Sequence, residues 1–353
     1  MTNYSRLWLI LIFSVITIFG LIRLGEIDVS LDTLRRINLG WFSLVVVWFY
    51  LSVVARGLRW YHILKTIGWP VGKLYATALL TTGLFTSSIL PGRAGDIARV
   101  AMLKRDHQVP ISKSVASIAA ERAFDVFAIL GMAGLAGAWA LADRIPVEAL
   151  QLMGVVTFFF IAGLVGLLVV PRLEHWLRTL SPLNRWAPPP LWNLYQKLLD
   201  FGFSMVNGVR VIGANPVALI AIVGESFIIW IFDALMVYYA LASLDVFIAP
   251  SAALFTAMVS DLATAVPFTP GALGQFEATM VGLLLVFGVT STDSTLATLI
   301  VRLVGLWTFL LVGGIVTYAF GFSRALAFET KAVEPNLPVV SASSSTESQN
   351  VVG

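Results

Sequence analysis

Residues 266–277 read VPFTPGALGQFE and lie inside an apolar run from about residue 251 to residue 289. That run is too long for one membrane crossing, because about 20 helical residues span the hydrocarbon core. The prolines and glycines of the stretch break any helix there, since proline lacks the amide donor and glycine costs helix stability. Residues 90–96 read LPGRAGD and close another apolar run with the same Pro-Gly-x-x-Gly pattern. One such break in each half of the chain indicates a transporter with its site near the breaks.

The composition is that of an integral membrane protein. Of the 353 residues, 58% are hydrophobic and only 12% are charged, whereas a soluble domain carries about 25% charged residues. The apolar runs lack the alternation of a membrane barrel, so we expect helices. The chain has no cysteine and three scattered histidines, so we expect no disulfide, no metal site and no cofactor. The net charge of +3 is too small to suggest nucleic acid as a partner.

Charge and hydropathy together predict the topology. Six segments are predicted to be full spans, at about residues 7–22, 39–54, 114–141, 150–170, 217–241 and 294–318. Basic residues concentrate near Arg6, in 56–73, in 171–215 and after Arg324, which places these segments and both termini in the cytoplasm. The segments 74–106 and 251–289 must then each enter and leave the membrane on one side. We expect re-entrant hairpins from opposite faces of the cell (inner or plasma) membrane, although Arg35 and Arg36 would then lie outside.

This topology contains a repeat. A span, a broken hairpin and a second span make up residues 39–141, and the same elements follow in inverted orientation in residues 217–318. Arg122 follows Pro91 by 31 residues, and Arg302 follows Pro270 by 32 residues. The predicted fold is therefore an all-α polytopic membrane protein with an inverted repeat, an architecture typical of alternating access.

The repeat belongs to one predicted domain. Residues 1–325 are expected to form a single transmembrane domain, within which 171–215 is an amphipathic segment on the cytoplasmic surface. Within residues 56–61, which read RGLRWY, the basic and aromatic residues are interpreted as an anchor at the membrane interface. Residues 326–353 are rich in Ser, Thr and Val and are expected to be a disordered tail without a second domain.

Charged residues inside the predicted spans are the candidate site. Glu121, Arg122 and Asp125 can share one helix face, because side chains three and four residues apart are neighbours. A charge at membrane depth normally faces a cavity or a partner. These three residues therefore form either a buried ion-pair network or a substrate and proton site. Glu225 and Asp233 are interpreted as packing or pore-lining carboxylates.

The two breaks supply the other candidates. In the first, Gly92 and Gly95 flank Arg93, and Asp96 and Arg99 follow; helix amino termini and arginine forks both favour phosphate. Interfacial snorkelling is the alternative for Arg93 and Arg99. In the second half, Arg302 needs an anionic partner, which is Glu277, Asp261 or a lipid phosphate. Glu277 either caps its helix or binds a coupling proton or substrate amine, and Asp261 in the same hairpin is a similar candidate. The remaining candidates of the second break are Pro270, Gly271 and Gly274.

Three motifs, LPGRAGDIAR (90–99), AERAFDV (120–126) and PFTPGALGQFE (267–277), resemble the flippase-like membrane domain family. That family includes the amino-terminal membrane domain of lysylphosphatidylglycerol synthases, and the resemblance covers roughly residues 5–325. It implies movement of a lipid across the membrane, as in the synthases, where a soluble domain makes the aminoacylated lipid. Only a short tail follows Arg324 here, so we expect no lysyl-lipid synthesis, and the cargo is a phospholipid or an isoprenoid-linked lipid.

The expected function is that of a lipid translocase whose partners are membrane lipids and an enzyme of lipid or glycan biosynthesis. Arg93, Arg122 and Arg302 would hold the headgroup phosphate. Protons or cationic headgroup groups would be handled by the carboxylates Glu121, Asp125, Glu277, Asp261 and Asp96. Two other functions are compatible with the sequence: a membrane enzyme acting on lipid or polyprenyl-phosphate headgroups, and a scaffold that recruits a partner through 171–215. No catalytic motif is visible, so we expect that the protein is not an enzyme.

Overall fold

A computed structural model describes residues 36–90, 94–140, 210–264, 269 and 272–321, together with isolated residues between 192 and 207. The predicted spans at 7–22 and 150–170, most of the segment 171–215, and the tail lie outside the described residues. Every regular element in the described ranges is helical. The all-α prediction is therefore confirmed.

Four helices form the first half: α1 (Leu39–Thr66), α2 (Lys73–Ile89), α3 (Ala94–His107) and α4 (Ile111–Ala140). The second half contains α5 (Pro216–Ala242), α6 (Pro250–Ala263), α7 (Gln275–Val286), α8 (Ser291–Arg302) and α9 (Phe309–Ala319). A π-helical turn, Leu303–Thr308, joins α8 to α9. Among the described helices, α1, α5 and the continuous segment Ser291–Ala319 are long and apolar enough to cross a membrane.

Asparagine caps begin the first helix of each half. The Asn38 side chain accepts hydrogen bonds from the amides of Gly40 and Trp41, and Asn215 accepts one from the amide of Ala218. Such caps satisfy amides that have no partner within the helix. Because the cap and an unbroken hydrogen-bonded ladder support α1 as far as Thr66, the helix continues well past the first arginine of the segment 56–61.

The first break folds the chain back on itself. Tyr75, near the start of α2, donates a hydrogen bond to Asp106 at the end of α3 (2.9 Å). Near the break the two backbones touch, and a Cβ atom added to Gly95 would lie only 1.7 Å from the carbonyl oxygen of Gly83. The Gly95 amide also donates to Ser87 Oγ (3.1 Å). Glycine is therefore required where α2 and α3 meet.

The second break also produces a hairpin. Gln275 Nε2 donates to the carbonyl oxygen of Ala263 (3.1 Å), and the Phe255 and Phe287 rings meet at the other end. Gly274, which precedes α7, has a φ of 85°, a left-handed conformation that favours glycine. The predicted interruption of the apolar run 251–289 is confirmed. The membrane face from which each hairpin enters stays a prediction.

Each hairpin packs against the last helix of the other half of the chain. The first hairpin packs through α2 against α9, the last helix of the second half, where Phe85 contacts Gly313. The second packs through α6 against α4, the last helix of the first half, where Phe255 contacts Ala136. The first helices of the halves, α1 and α5, pack against each other. This packing is equivalent when the halves are interchanged, which supports the predicted inverted repeat.

Two apolar cores stabilise this arrangement. The first core surrounds the first hairpin, and the second core surrounds the second hairpin. Along α4, Ala120 belongs to the first core and Ala128 to the second, and the charged residues 121, 122 and 125 lie between them. Charged side chains therefore occupy the middle of the molecule. Representative members are Trp60, Leu79 and Met102 for the first core, and Val45, Met258 and Met280 for the second.

Candidate functional site

A central cavity of about 410 Å³ lies where the hairpins meet. Helices α1 to α9 all contribute to its wall, and so does the π turn. The described part of the wall is mostly apolar, but it also carries seven charged residues: Arg56, Arg122, Arg302, Asp96, Asp125, Asp233 and Asp261. Charged residues at membrane depth are found facing cavities or partners, and here they do both.

An ion-pair network joins the three long helices α1, α4 and α5. Arg59, which is completely buried, places Nη1 2.8 Å from Asp125 Oδ1 and donates to Ser226 Oγ (2.8 Å). Trp230 Nε1 also donates to Asp125 Oδ1 (3.2 Å). Arg56 pairs with Asp233 across α1 and α5. The alternative of a buried ion-pair network therefore describes the surroundings of Asp125.

Arg99 and Glu121 form a pair behind the cavity wall. Arg99 Nη2 lies 2.5 Å from Glu121 Oε2, and both side chains are buried. The guanidinium lies over the Trp60 ring, 3.9 Å from its centroid. Neither Arg99 nor Glu121 lines the cavity, and their ion pair links α3 to α4.

Arg122 is held much more loosely than Arg99. Its Nη2 atom lies 3.4 and 3.5 Å from the carboxylate oxygens of Asp96, and its Nη1 atom lies 3.8 Å from Asp125. The side chain is 36% exposed and lines the cavity. Long contacts and exposure leave donors that an anionic ligand can take over.

Arg302 has a tighter environment. Its Nε and Nη2 atoms donate to the two carboxylate oxygens of Glu277 at 2.7 and 3.0 Å, and Nη2 also donates to the Ala272 carbonyl oxygen at 3.0 Å. Glu277 in turn accepts the amide of Gly274 (2.8 Å). Of the partners that the sequence offers, Glu277 is thus the one that binds Arg302, and it also caps α7. Together these contacts hold the second break closed.

Asp261 differs from the other carboxylates of the wall. It lies in α6, two residues before the end of the helix, and lines the cavity. Within the described part of the chain, its carboxylate accepts no hydrogen bond and forms no ion pair, whereas its backbone carbonyl accepts from Thr264 Oγ1 (2.7 Å). In the described part of the cavity wall, Asp261 is thus a carboxylate without a neutralising partner.

The remaining predicted residues fall into two groups. Gly95 and Gly274 shape the hairpins as backbone positions and do not line the cavity. Gly92, Arg93, Pro270 and Gly271 lie outside the described residues. The other candidates either line the cavity or support a residue that does.

The sequence analysis missed two charged residues of the site, Arg56 and Arg59. Asp233, which it interpreted as a packing or pore-lining carboxylate, lines the cavity and pairs with Arg56. The interpretation of 56–61 as an interfacial anchor is wrong for Arg59 and Trp60, because both are completely buried inside the protein. The sequence did contain a signal for a buried ion pair. Arg56 and Arg59 are three residues apart on one helix, and the carboxylate of Asp233 lies in the middle of the facing span. Reading the first arginine as the end of the span concealed it.

The fold and the site define a polytopic helical membrane protein with two broken hairpins around a charged cavity. The chain belongs to the family of the lysylphosphatidylglycerol synthase TM region, whose family model matches residues 6–313. The resemblance stated from the three motifs is thereby confirmed.

Curated relatives agree with this assignment. A UPF0104 membrane protein of Methanocaldococcus jannaschii is 26% identical over 238 residues, which are 67% of this chain and 94% of that protein. A UPF0104 membrane protein of Methanothermobacter thermautotrophicus is 24% identical over 315 residues, 85% of this chain and 90% of that protein. The protein named glycosyltransferase AglD of Haloferax volcanii is 25% identical over 249 residues, 63% of this chain but only 39% of that protein. No solved structure matches the chain significantly.

Proposed function

We propose that this protein is a lipid translocase that moves a phosphate-bearing lipid between the leaflets of the cell membrane by alternating access. The observation that carries the proposal is the central cavity, at which two broken hairpins meet and arginines lie within a largely apolar wall. Broken helices at a repeat interface are the usual binding site of transporters built from inverted repeats. The mixed wall suits a lipid, which presents a charged headgroup on an apolar body.

Arg122 is the main contact for the headgroup phosphate in this proposal. Guanidinium groups bind phosphate with two parallel hydrogen bonds, and Arg122 combines access to the cavity with long contacts to Asp96 and Asp125. Arg56 lines the same cavity but is already paired with Asp233. The other predicted phosphate ligands, Arg99 and Arg302, support the hairpins through tight pairs with Glu121 and Glu277.

The packing of each hairpin against the opposite half provides a route for alternating access. Because each hairpin packs against the last helix of the opposite half, a displacement of one half against the other moves both hairpins relative to the cavity. A ligand shifts such an equilibrium only through different affinities for the two states. Direction must therefore come from a gradient or from consumption of the lipid.

The cargo is a phospholipid or an isoprenoid-linked lipid. In this proposal the partners are membrane lipids and an enzyme that makes or consumes the cargo, and both termini lie in the cytoplasm. The translocase itself makes and breaks no covalent bond.

Lipid transfer in reconstituted vesicles tests the proposal. Purified protein is incorporated into vesicles containing a fluorescent phosphatidylglycerol or a fluorescent polyprenyl phosphate, and a membrane-impermeant quencher reports the fraction in the outer leaflet. We expect faster exchange than in protein-free vesicles. Loss of charge-assisted hydrogen bonds in Arg122→Ala should slow exchange about ten-fold. Arg210→Ala, which removes an exposed arginine outside the cavity wall, is the matched control and should exchange lipid at the unmodified rate.

Two results would contradict the proposal. Exchange of both probes at the protein-free rate would exclude a translocase for these lipid classes. Conversion of either probe to a new product by the purified protein in detergent would favour the membrane enzyme instead.

A further inference from the structure

The charges around the cavity do not balance. Among the described residues, five arginines and six carboxylates form the site and its immediate support. Each arginine has at least one carboxylate within 4 Å, whereas Asp261 alone among the six carboxylates has no basic side chain at that distance in the described residues. The described site therefore carries one excess negative charge, and that charge belongs to Asp261.

The neighbours of Asp261 do not neutralise it. The charged groups that act on it are Arg56 from α1, Asp125 from α4, Asp233 from α5 and Arg302 from α8. Arg56 is occupied by Asp233, and Arg302 is occupied by Glu277. Because two of the four groups are themselves carboxylates, a negative charge on Asp261 is repelled as well as desolvated.

An uncompensated carboxylate in a low-dielectric cavity is unfavourable, and such a group normally takes up a proton or a cation. Binding a lipid phosphate at Arg122 would add further negative charge to a site that already has too much. A proton on Asp261 offsets this addition without requiring a positively charged headgroup. Cargo and proton should therefore occupy the cavity together.

We propose that lipid transfer is coupled to protons and that Asp261 carries the proton. This inference rests on the proposed lipid translocase. The proton enters from the aqueous side to which the cavity is open, binds a carboxylate oxygen of Asp261, crosses with the lipid and leaves on the other side. Asp261 lies beside the second break, so its protonation state can bias the position of that hairpin, and the proton gradient then supplies the direction of transport.

A labelling experiment tests the proton site without any lipid transfer. Dicyclohexylcarbodiimide is an apolar reagent that modifies protonated carboxyl groups, and mass spectrometry of digested protein locates the adduct. We expect an adduct on Asp261 that decreases as the pH is raised, and Asp261→Asn should abolish it. Asp245→Asn removes an exposed carboxylate outside the cavity and should leave labelling of Asp261 unchanged. Absence of an adduct on Asp261 at every pH would overturn the inference.

A transport experiment tests the coupling. In vesicles with a pH difference, fluorescent phosphatidylglycerol should accumulate in the leaflet away from the acidic side, with an equilibrium shift of about five-fold or more. Asp261→Asn should lose this shift, and Asp245→Asn should keep it.

The outcomes separate the inference from the proposed function. If the unmodified protein exchanges lipid but ignores the pH difference, proton coupling is wrong and the translocase proposal stands. If it exchanges no lipid, the translocase proposal fails and coupling fails with it. If Asp261→Asn slows only phosphatidylethanolamine and leaves phosphatidylglycerol and its pH response unchanged, Asp261 binds the headgroup amine, and the proton role is overturned.

Discussion

The two halves of the molecule place an arginine at equivalent positions of the predicted repeat and give it different environments. Arg122 in the first half is 36% exposed, with its closest carboxylate contact at 3.4 Å. Arg302 in the second half is 15% exposed and holds Glu277 with two hydrogen bonds. Equivalence in a repeat therefore does not imply equivalence in chemistry: one arginine remains accessible, and the other fixes a hairpin.

The difference follows from the way each hairpin is closed. In the first hairpin the Gly83 and Gly95 backbones touch, and the tight ion pair that supports this hairpin is formed by Arg99 and Glu121. In the second hairpin, Gly274 adopts a left-handed backbone conformation. The Glu277 carboxylate accepts hydrogen bonds from both the Gly274 amide and Arg302. Because these contacts close the first hairpin without Arg122, the Arg122 guanidinium remains available to a ligand.

The helices that carry these arginines also differ. α4 is α-helical over its full length, whereas the helix containing Arg302 changes to a π turn at Leu303 and returns to α geometry at Phe309. Short π-helical turns inside helices frequently occur at functional sites. The asymmetry therefore extends from the side-chain contacts to the backbone.

Removing the partner of Arg302 should have the largest effect on stability. Glu277→Ala leaves a mostly buried guanidinium without its carboxylate, and breaking such a pair costs about 3–5 kcal/mol. Thermal unfolding in detergent should show a large decrease in Tm. Glu225→Ala is the control, because Glu225 belongs to the half-exposed pair with His62 and should decrease the Tm much less.

A double variant sharpens this test. Replacing both members of the pair, as in Glu277→Leu with Arg302→Met, removes the buried charges together and should recover much of the stability lost in Glu277→Ala. A single variant as stable as the unmodified protein would mean that this pair does not hold the second hairpin.

In the first hairpin, an added methyl group at the contact between the two backbones should lower the stability. In Gly95→Ala the new methyl group meets the Gly83 carbonyl oxygen, a backbone atom that cannot rotate away, so we expect a loss of about 2–3 kcal/mol. The measurement is again the Tm in detergent. Gly134→Ala is the matched control, since a Cβ atom there has no neighbour within 4 Å. Equal Tm values for the two variants would contradict the close contact of the backbones.

Local sequence signals predicted the framework well, because helix breaks and caps depend on nearby residues. The break around Gly274, the capping role open to Glu277 and a span at 217–241, observed as Pro216–Ala242, were all accessible in this way. The family followed from three motifs. Hydropathy also found the two apolar runs that form the hairpins.

Long-range pairing was not accessible. Arg56 and Asp233 are separated by 177 residues, and Arg59 meets Asp125 only because α1 packs beside α4 and α5. A hydropathy profile ends a span at its first arginine, although a neutralised arginine can remain inside a helix bundle. The π turn after Arg302 has no marker in the sequence, because its residues are ordinary helix and membrane residues.

Arg122 should show the smallest effect on stability. Its long, partly exposed contacts resemble surface ion pairs, which contribute about 0–1 kcal/mol, so Arg122→Ala should have a Tm close to that of the unmodified protein, while Arg302→Ala should unfold at a much lower temperature. Arg122→Ala is therefore the variant in which a transport defect can be separated from misfolding. A large loss of stability in Arg122→Ala would give both arginines the same structural role, and the cavity would then lose its accessible phosphate ligand.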